Sequence, residues 1–154
     1  MNIFILDIDP TVAATMQCDK HVVKMIVESA QMLCSAFDGG VAPYKRTHYN
    51  HPCSVWVRKS EANFNWLIEH SLALCDEYTF RYGKKHKSLS VIEWCRQSIN
   101  LITFPNKDLT PFPQAMPDEF KGNDPVAAYR QFYSHSKRPF AKWTKRSPPE
   151  WWQI

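Results

Sequence analysis

Apolar residues recur at helical spacing along most of the chain. Between Asp19 and Phe37 the sequence reads DKHVVKMIVESAQMLCSAF, with Val22, Met25, Ile26, Leu33 and Phe37 on an apolar face, and Gly39-Gly40 marks its end. The longest pattern runs over about residues 54–82, where Trp56, Phe64, Trp66, Leu67, Leu74 and Tyr78 recur and Gly83 closes the run. Ser90-Val-Ile-Glu93 has the form of a capping box for a third helix to about Ile102. Asp124-Pro125 predicts a fourth helix to about Lys137, with Asp as N-cap and Pro at the first helical position. The same pair at Asp9-Pro10 predicts a short helix over about 10–16, preceded by an apolar segment at 2–8 that suits a short strand or an extended buried arm.

The intervals differ from these runs. Residues 42–52 (APYKRTHYNHP) form a polar loop, residues 103–117 are rich in proline, and the tail RPFAKWTKRSPPEWWQI is basic and aromatic. The expectation is a mainly α protein: a compact single domain of about four helices with long ordered loops.

Composition narrows the function classes. The 154 residues carry a net charge of +4 and six Trp, which permits a polyanionic partner without requiring one. The N-terminal segment MNIFILDIDP has acids at once and no basic n-region, so it does not read as a signal peptide. No window approaches the roughly 18 apolar residues of a membrane span. The five Cys are widely spaced without a CxxC, which fits reduced thiols. These features predict a cytoplasmic monomer without membrane contact.

The helix at 19–37 carries a polar stripe. His21, Lys24, Glu28, Gln31 and Ser35 recur at steps of three and four and so share one face. A base, a cation, a carboxylate and an amide in one row could floor a small active site, with Glu28 as general base or as stabiliser of a cationic intermediate. The same row also suits a solvated face in which Lys24 and Glu28 form an i, i+4 pair worth about 0.3 kcal/mol. Cys18-x2-His21 and His48-x2-His51 with Cys53 offer metal donors, but no standard zinc pattern is completed, and no metal or cofactor is expected. Tyr44, Lys45, Arg46, His48, Tyr49 and His51, with Arg138, Lys142, Trp143, Trp151 and Trp152, interleave cations and flat rings. Phosphates need the first and unstacked bases the second. No phosphate-binding glycine loop or hydrolase elbow occurs.

Asp19-x-His21 followed by Glu28, on a helix soon after a short N-terminal arm, resembles the phage-type pyrimidine-dimer DNA glycosylases. The likeness continues in order through the long helix after His51, the segment Met116-Pro-Asp-Glu-Phe-Lys-Gly122, and the aromatic basic tail. The chain is similar also to uncharacterised phage proteins that share the strings CDKHVVKM, NHP and PQxMPDE; phage origin would place it in the host cytoplasm. The resemblance implies a T4 endonuclease V-like fold and base excision without a metal. An N-terminal amine attacks C1′ of the damaged nucleotide, a helical Glu assists, and the resulting imine permits β-elimination that nicks the strand. An α-amine loses its proton near pH 8, so a useful fraction is nucleophilic at neutral pH.

Carried onto this sequence, the resemblance makes Glu28 the catalytic carboxylate, His21 its neighbour and the amine of Met1 or Asn2 the nucleophile. Asn2 is bulky enough to predict that Met1 is retained. Lys24 and Gln31 would line the pocket. Tyr44, Arg46, His48, His51, Arg130, Lys137, Lys142 and Trp143 would contact the DNA. Family members carry Thr and Arg where this chain has Asn2 and Ile3, and Arg where it has Val27 and Gln31; Lys24, Arg130 and Lys137 are the cations available instead. The leading expectation is a DNA N-glycosylase, with lyase activity, acting on a damaged or modified base. Two alternatives stand beside it: an enzyme that binds a nucleotide or nucleotide derivative, and a non-catalytic nucleic-acid- or protein-binding module anchored by Trp151, Trp152, Tyr44 and Tyr49.

Overall fold

The computed structural model describes residues 1–152. It is mainly α: among these residues six α-helices and two short 3-10 turns are connected by ordered loops, and no strand forms. The helices are α1 (Pro10–Met16), α2 (Asp19–Ser35), α3 (Pro52–Lys59), α4 (Glu61–Tyr82), α5 (Leu89–Gln97) and α6 (Pro125–Ser136). The expected 10–16 helix forms as α1, and the long 54–82 run divides into two helices, α3 and α4. No described helix is long and apolar enough to cross a membrane.

The division falls at Ser60, whose backbone is extended (φ −149°, ψ 154°). The amides at the start of α4 find acceptors outside the helix: Glu61 N donates to Asn106 O at 3.0 Å and Ala62 N to Lys107 O at 3.0 Å. Ser60 Oγ accepts from Asn63 N at 3.0 Å. A helix start needs partners for its unpaired amides, and the proline-rich segment supplies two of them. Asn63 completes the seam, donating to Trp56 O (2.8 Å) and Thr110 Oγ1 (2.7 Å) and accepting from Thr110 N (2.9 Å). The segment at 103–117 is thereby an ordered strap across the α3–α4 junction. The third helix begins at Leu89 rather than at a Ser90 capping box, and Ser90 Oγ turns back to Lys87 O at 3.4 Å.

α4 is the central helix, packed against α1, α2, α3 and α5. It buries residues on several faces, among them Phe64, Leu67, Leu74, His70 and Arg81, as a helix surrounded by others must. Gly83 ends it in the left-handed region (φ 70°), with its amide on Thr79 O at 2.8 Å.

Residues 1–9 form an arm, buried over Ile3–Leu6, rather than a strand. Ile3, Phe4, Ile5 and Leu6 are all buried, each stabilising the fold by about 1.5–3 kcal/mol. The arm has no ladder, so side chains satisfy its backbone: Gln17 Nε2 donates to Ile3 O (3.0 Å), Arg130 Nε to Leu6 O (2.9 Å) and Trp66 Nε1 to Ile8 O (2.9 Å). The tail is pinned at α2's start. Asp19 N donates to Lys142 O at 2.7 Å, and the Asp19 carboxylate accepts from Thr144 N (2.9 Å), Thr144 Oγ1 (2.6 Å) and Arg81 Nη1 (3.0 Å).

Several buried groups make the fold acid-sensitive. Burial pushes His70 down to about 4, against the opposing pull of its bonds to the Pro10 and Ile3 carbonyls. Burial likewise pushes His21 down to about 3, helped by Lys137 and Lys24. Burial pushes Asp19 and Glu77 upward, but hydrogen bonds from Thr144 and Arg81 to the first, and from Arg146 and Arg81 to the second, leave both below their ordinary values. For the histidines the unfolded chain binds more protons below its ordinary value of 6.5, so their stability is complete above that pH and is lost as pH falls toward 4. The carboxylates act with the same sign at lower pH. The melting temperature is expected to fall steadily from pH 7 to pH 4 in a calorimetric series; a flat profile over that range contradicts the assignment.

Candidate active site

Glu28 lies midway along α2, and its side chain is 12% exposed beneath the N-terminus. Its Oε1 accepts from the Asn2 amide at 3.0 Å, and the Met1 α-amine stands 3.6 Å from the same oxygen. Its Oε2 faces Lys24 Nζ at 3.7 Å, on a side chain that is 72% exposed. One carboxylate oxygen therefore serves the chain terminus and the other faces an exposed cation at the surface. The Met1 side chain is 2% exposed, with its Sδ 3.8 Å from Ser54 Oγ.

Asn2 explains why the terminus is held there. Its Oδ1 accepts from Ile3 N (2.8 Å), Phe4 N (3.2 Å) and Tyr129 Oη (2.9 Å), and its Nδ2 donates to Ala115 O (2.7 Å). Ala115 N in turn donates to Tyr129 Oη at 3.1 Å. This turn forces Phe4 into the left-handed region at φ 59°, which costs a bulky residue about 1–3 kcal/mol. The surrounding bonds over-determine that conformation, so residue 2 cannot slide along Glu28.

His51 and Cys53 complete the surroundings of the amine. His51 caps α3, its Nδ1 accepting from Cys53 N at 3.1 Å. Burial lowers its pKa, the N-terminal cation and His48 lower it further, and Glu28 opposes them. Burial pushes the Cys53 thiol up to about 12, so it is no nucleophile. From the sequence Cys53 stands out only as a metal donor, and Ser54, Ala115 and Tyr129 not at all. The His51-Pro52 helix start was the available signal for the first two, because it puts them in the first turn of α3.

His21 is buried and stacked on Phe4 at 4.3 Å between ring centroids. Tyr133 Oη accepts from Cys18 N at 2.9 Å and lies 2.8 Å from His21 Nδ1. With its pKa pushed down to about 3, the ring is neutral and shares one hydrogen bond with the Tyr133 hydroxyl. His21 thus packs against the arm as an uncharged group. Lys137 Nζ sits over Phe132 (4.6 Å) and Phe4 (5.4 Å), and its pKa is lowered by burial and, less, by Lys24, with Cys18 opposing.

The other candidates are distributed around this centre. Gln31, one turn beyond Glu28, borders a hollow of about 500 Å³ with Val27, Tyr44 and Arg46. Tyr44 Oη bonds Ser88 Oγ at 2.8 Å, and His48, at φ 50°, bonds Thr47 Oγ1 at 2.9 Å. Arg46 is engaged by Phe37 O (2.6 Å) and Asp38 (3.0 Å) and lies over Tyr49. Arg130 holds Leu6 O and Asp7 at the far end of the arm. Lys142 has an exposed side chain, whereas Trp143 donates to Met16 O at 2.9 Å and packs on Trp152. Trp151 and Trp152 are partly buried against Tyr133, which corrects their reading as exposed anchors of a non-catalytic module. Met1, Asn2, Lys24, Glu28 and His51 thus converge; Arg46, Arg130 and Trp143 are occupied elsewhere. Among the described residues no group of three or more metal-ligating side chains converges.

A groove of about 630 Å³ runs along α6, bordered by Phe120, Arg130, Arg138 and Trp151, and its lining does not include Glu28. The family model described as pyrimidine dimer DNA glycosylase matches residues 1–90. That stretch contains the arm, Glu28 and the His51 helix start, and it ends before α6 and the tail. No curated protein and no solved structure matches the chain.

Proposed function

The chain belongs to the pyrimidine dimer DNA glycosylase family, and from that premise we propose that it excises a damaged pyrimidine from DNA using Glu28 and its N-terminal amine. The observation that carries this reading is the placement of both the Met1 amine and the Asn2 nitrogen on one oxygen of Glu28, at 3.6 and 3.0 Å. If Met1 stays, its amine is the nucleophile. If Met1 is removed, the Asn2 nitrogen becomes the amine without any movement of the arm.

The amine lone pair attacks C1′ while the C1′–N bond to the base breaks and its electron pair leaves with the base. Glu28 stabilises the positive charge that develops on the sugar and takes the proton that the amine loses. The C1′–O4′ bond then breaks, O4′ takes the proton held by Glu28, and the nitrogen lone pair closes an imine between C1′ and the terminal nitrogen. Loss of a C2′ proton then expels the 3′ phosphate, which is the lyase step. Lys24, held loosely at the carboxylate edge, supplies a cation for an incoming phosphate. Lys137, Lys142 and the 44–51 loop extend the DNA contact surface, with Gln31 at its edge. The test compares base release from ultraviolet-irradiated and unirradiated duplex by the wild-type chain and by Glu28→Gln.

A further inference from the structure

Two of the five free cysteines form a pair that the excision chemistry does not use. Cys34 lies in the last turns of α2 and Cys95 in the last turn of α5; both are buried, and their sulfurs are 3.7 Å apart. That is direct contact between sulfurs on different helices, about 1.7 Å longer than a disulfide bond. The remaining cysteines, Cys18, Cys53 and Cys75, are also buried.

Cys34 has a route to solvent. It lies in the wall of a hollow of about 440 Å³ formed with Phe37, Pro43 and Tyr44. Gly39 and Gly40 also border this hollow, at φ 74° and 67°, and nothing lies within 4 Å of where a Cβ would stand on either. A small oxidant can therefore approach past two residues that present no side chain. Cys34 is also the sulfur prepared to react. Its contact with the Cys95 sulfur and a bond from the Tyr44 backbone amide draw its pKa down despite burial. The contact with Cys34 and burial push Cys95 up. Burial pushes Cys53 and Cys75 the opposite way from Cys34, to about 12 each.

We propose that Cys34 and Cys95 are a redox-active dithiol site, which small hydroperoxides convert to a disulfide joining α2 to α5. The Cys34 thiolate attacks one peroxide oxygen, the O–O bond breaks, and an alkoxide or hydroxide leaves, giving a sulfenic acid. The Cys95 sulfur then attacks the Cys34 sulfur, the S–O bond breaks, and the departing hydroxide takes the Cys95 proton as water. The net change is two thiols and one hydroperoxide to one disulfide, one alcohol or water, and one water. The disulfide would tie the C-terminal end of the Glu28 helix to α5 beside the 37–46 loop. Its formation does not depend on the excision reading.

The full-length protein would be treated with hydrogen peroxide, denatured, alkylated and measured by intact mass and peptide mapping. The expected result is loss of two hydrogens, a fall from five alkylatable thiols to three, and a Cys34–Cys95 peptide that dithiothreitol dissolves. Cys95→Ala should instead accumulate a dimedone-reactive sulfenic acid on Cys34. Oxidation spread evenly over Cys18, Cys53 and Cys75, or five intact thiols where free glutathione is fully oxidised, would overturn the proposal.

Discussion

Glu28→Gln is expected to lower base release from irradiated duplex by about 10²–10⁴-fold, the range for losing a positioned acid–base or charge-stabilising group. The substitution keeps the side chain's shape. A Gln oxygen still accepts from the Asn2 amide, now held at 3.0 Å, so the arm stays in place. What is lost is the charge that faces the Met1 amine and Lys24. Lys24 is mostly exposed, and such pairs contribute about 0–1 kcal/mol, whereas the buried Met1 amine keeps only the neutral Gln oxygen, so a lowered melting temperature with the fold retained is expected. Removing a negative charge from the DNA-facing surface should leave duplex affinity unchanged or raised. Lost excision with retained folding and binding therefore separates a catalytic carboxylate from a structural one. Full excision by Glu28→Gln sinks the assignment.

Arg81→Met is expected to have the largest effect on stability, about 3–5 kcal/mol, because it breaks a buried ionic network by removing one partner. The Arg81 side chain is fully buried. It donates to Glu77 Oε1 at 2.9 Å, to Asp19 Oδ1 at 3.0 Å and to Thr15 O at 3.1 Å, joining α1, α2 and α4 at one point. Arg146 reaches the same Glu77 with two bonds of 2.7 and 2.9 Å, so the tail is part of the network. Without Arg81, Glu77 keeps Arg146 and Asp19 keeps Thr144, but a buried carboxylate and the Thr15 carbonyl lose a donor. A domain of this size should melt about 6–20 °C lower by calorimetry. A drop under about 2 °C would mean that the network is neutral against well-packed hydrophobic replacement.

The parts of this fold visible in the sequence are those governed by local chemistry. Asp9-Pro10 and Asp124-Pro125 mark helix starts because an acid accepts amides at the N-cap and proline needs no donor in the first turn. Both acids do accept from the two amides that follow the proline. Gly83 marks a helix end because its backbone is left-handed. The break at Ser60 was not visible, since the acceptors that draw away the Glu61 and Ala62 amides come from Asn106 and Lys107, remote in sequence. The Ser90-to-Glu93 spacing misled because the chain before it enters through Ser88.

The candidate site divides in the same way. Periodicity brings His21, Lys24 and Glu28 to one face of α2, but says nothing of what covers that face. The covering is the arm, which buries His21 under Phe4 and lays the chain terminus on Glu28, leaving only Lys24 open to solvent. Asn2, whose amide side chain fixes this arrangement through Ala115 and Tyr129, depends on contacts from the far end of the chain. The aromatic tail reads as a binding surface by composition, yet Trp143 and Trp151 spend their ring N–H groups on Met16 at the end of α1.

Borohydride trapping on an abasic duplex, followed by peptide mapping of the adduct, decides whether the terminal amine is the nucleophile. The expected result is a covalent adduct on the terminal residue, Met1 or Asn2 according to the intact mass, and its loss when the α-amine is acetylated. An adduct on Lys24, or none under conditions that trap an imine-forming lyase, would contradict it.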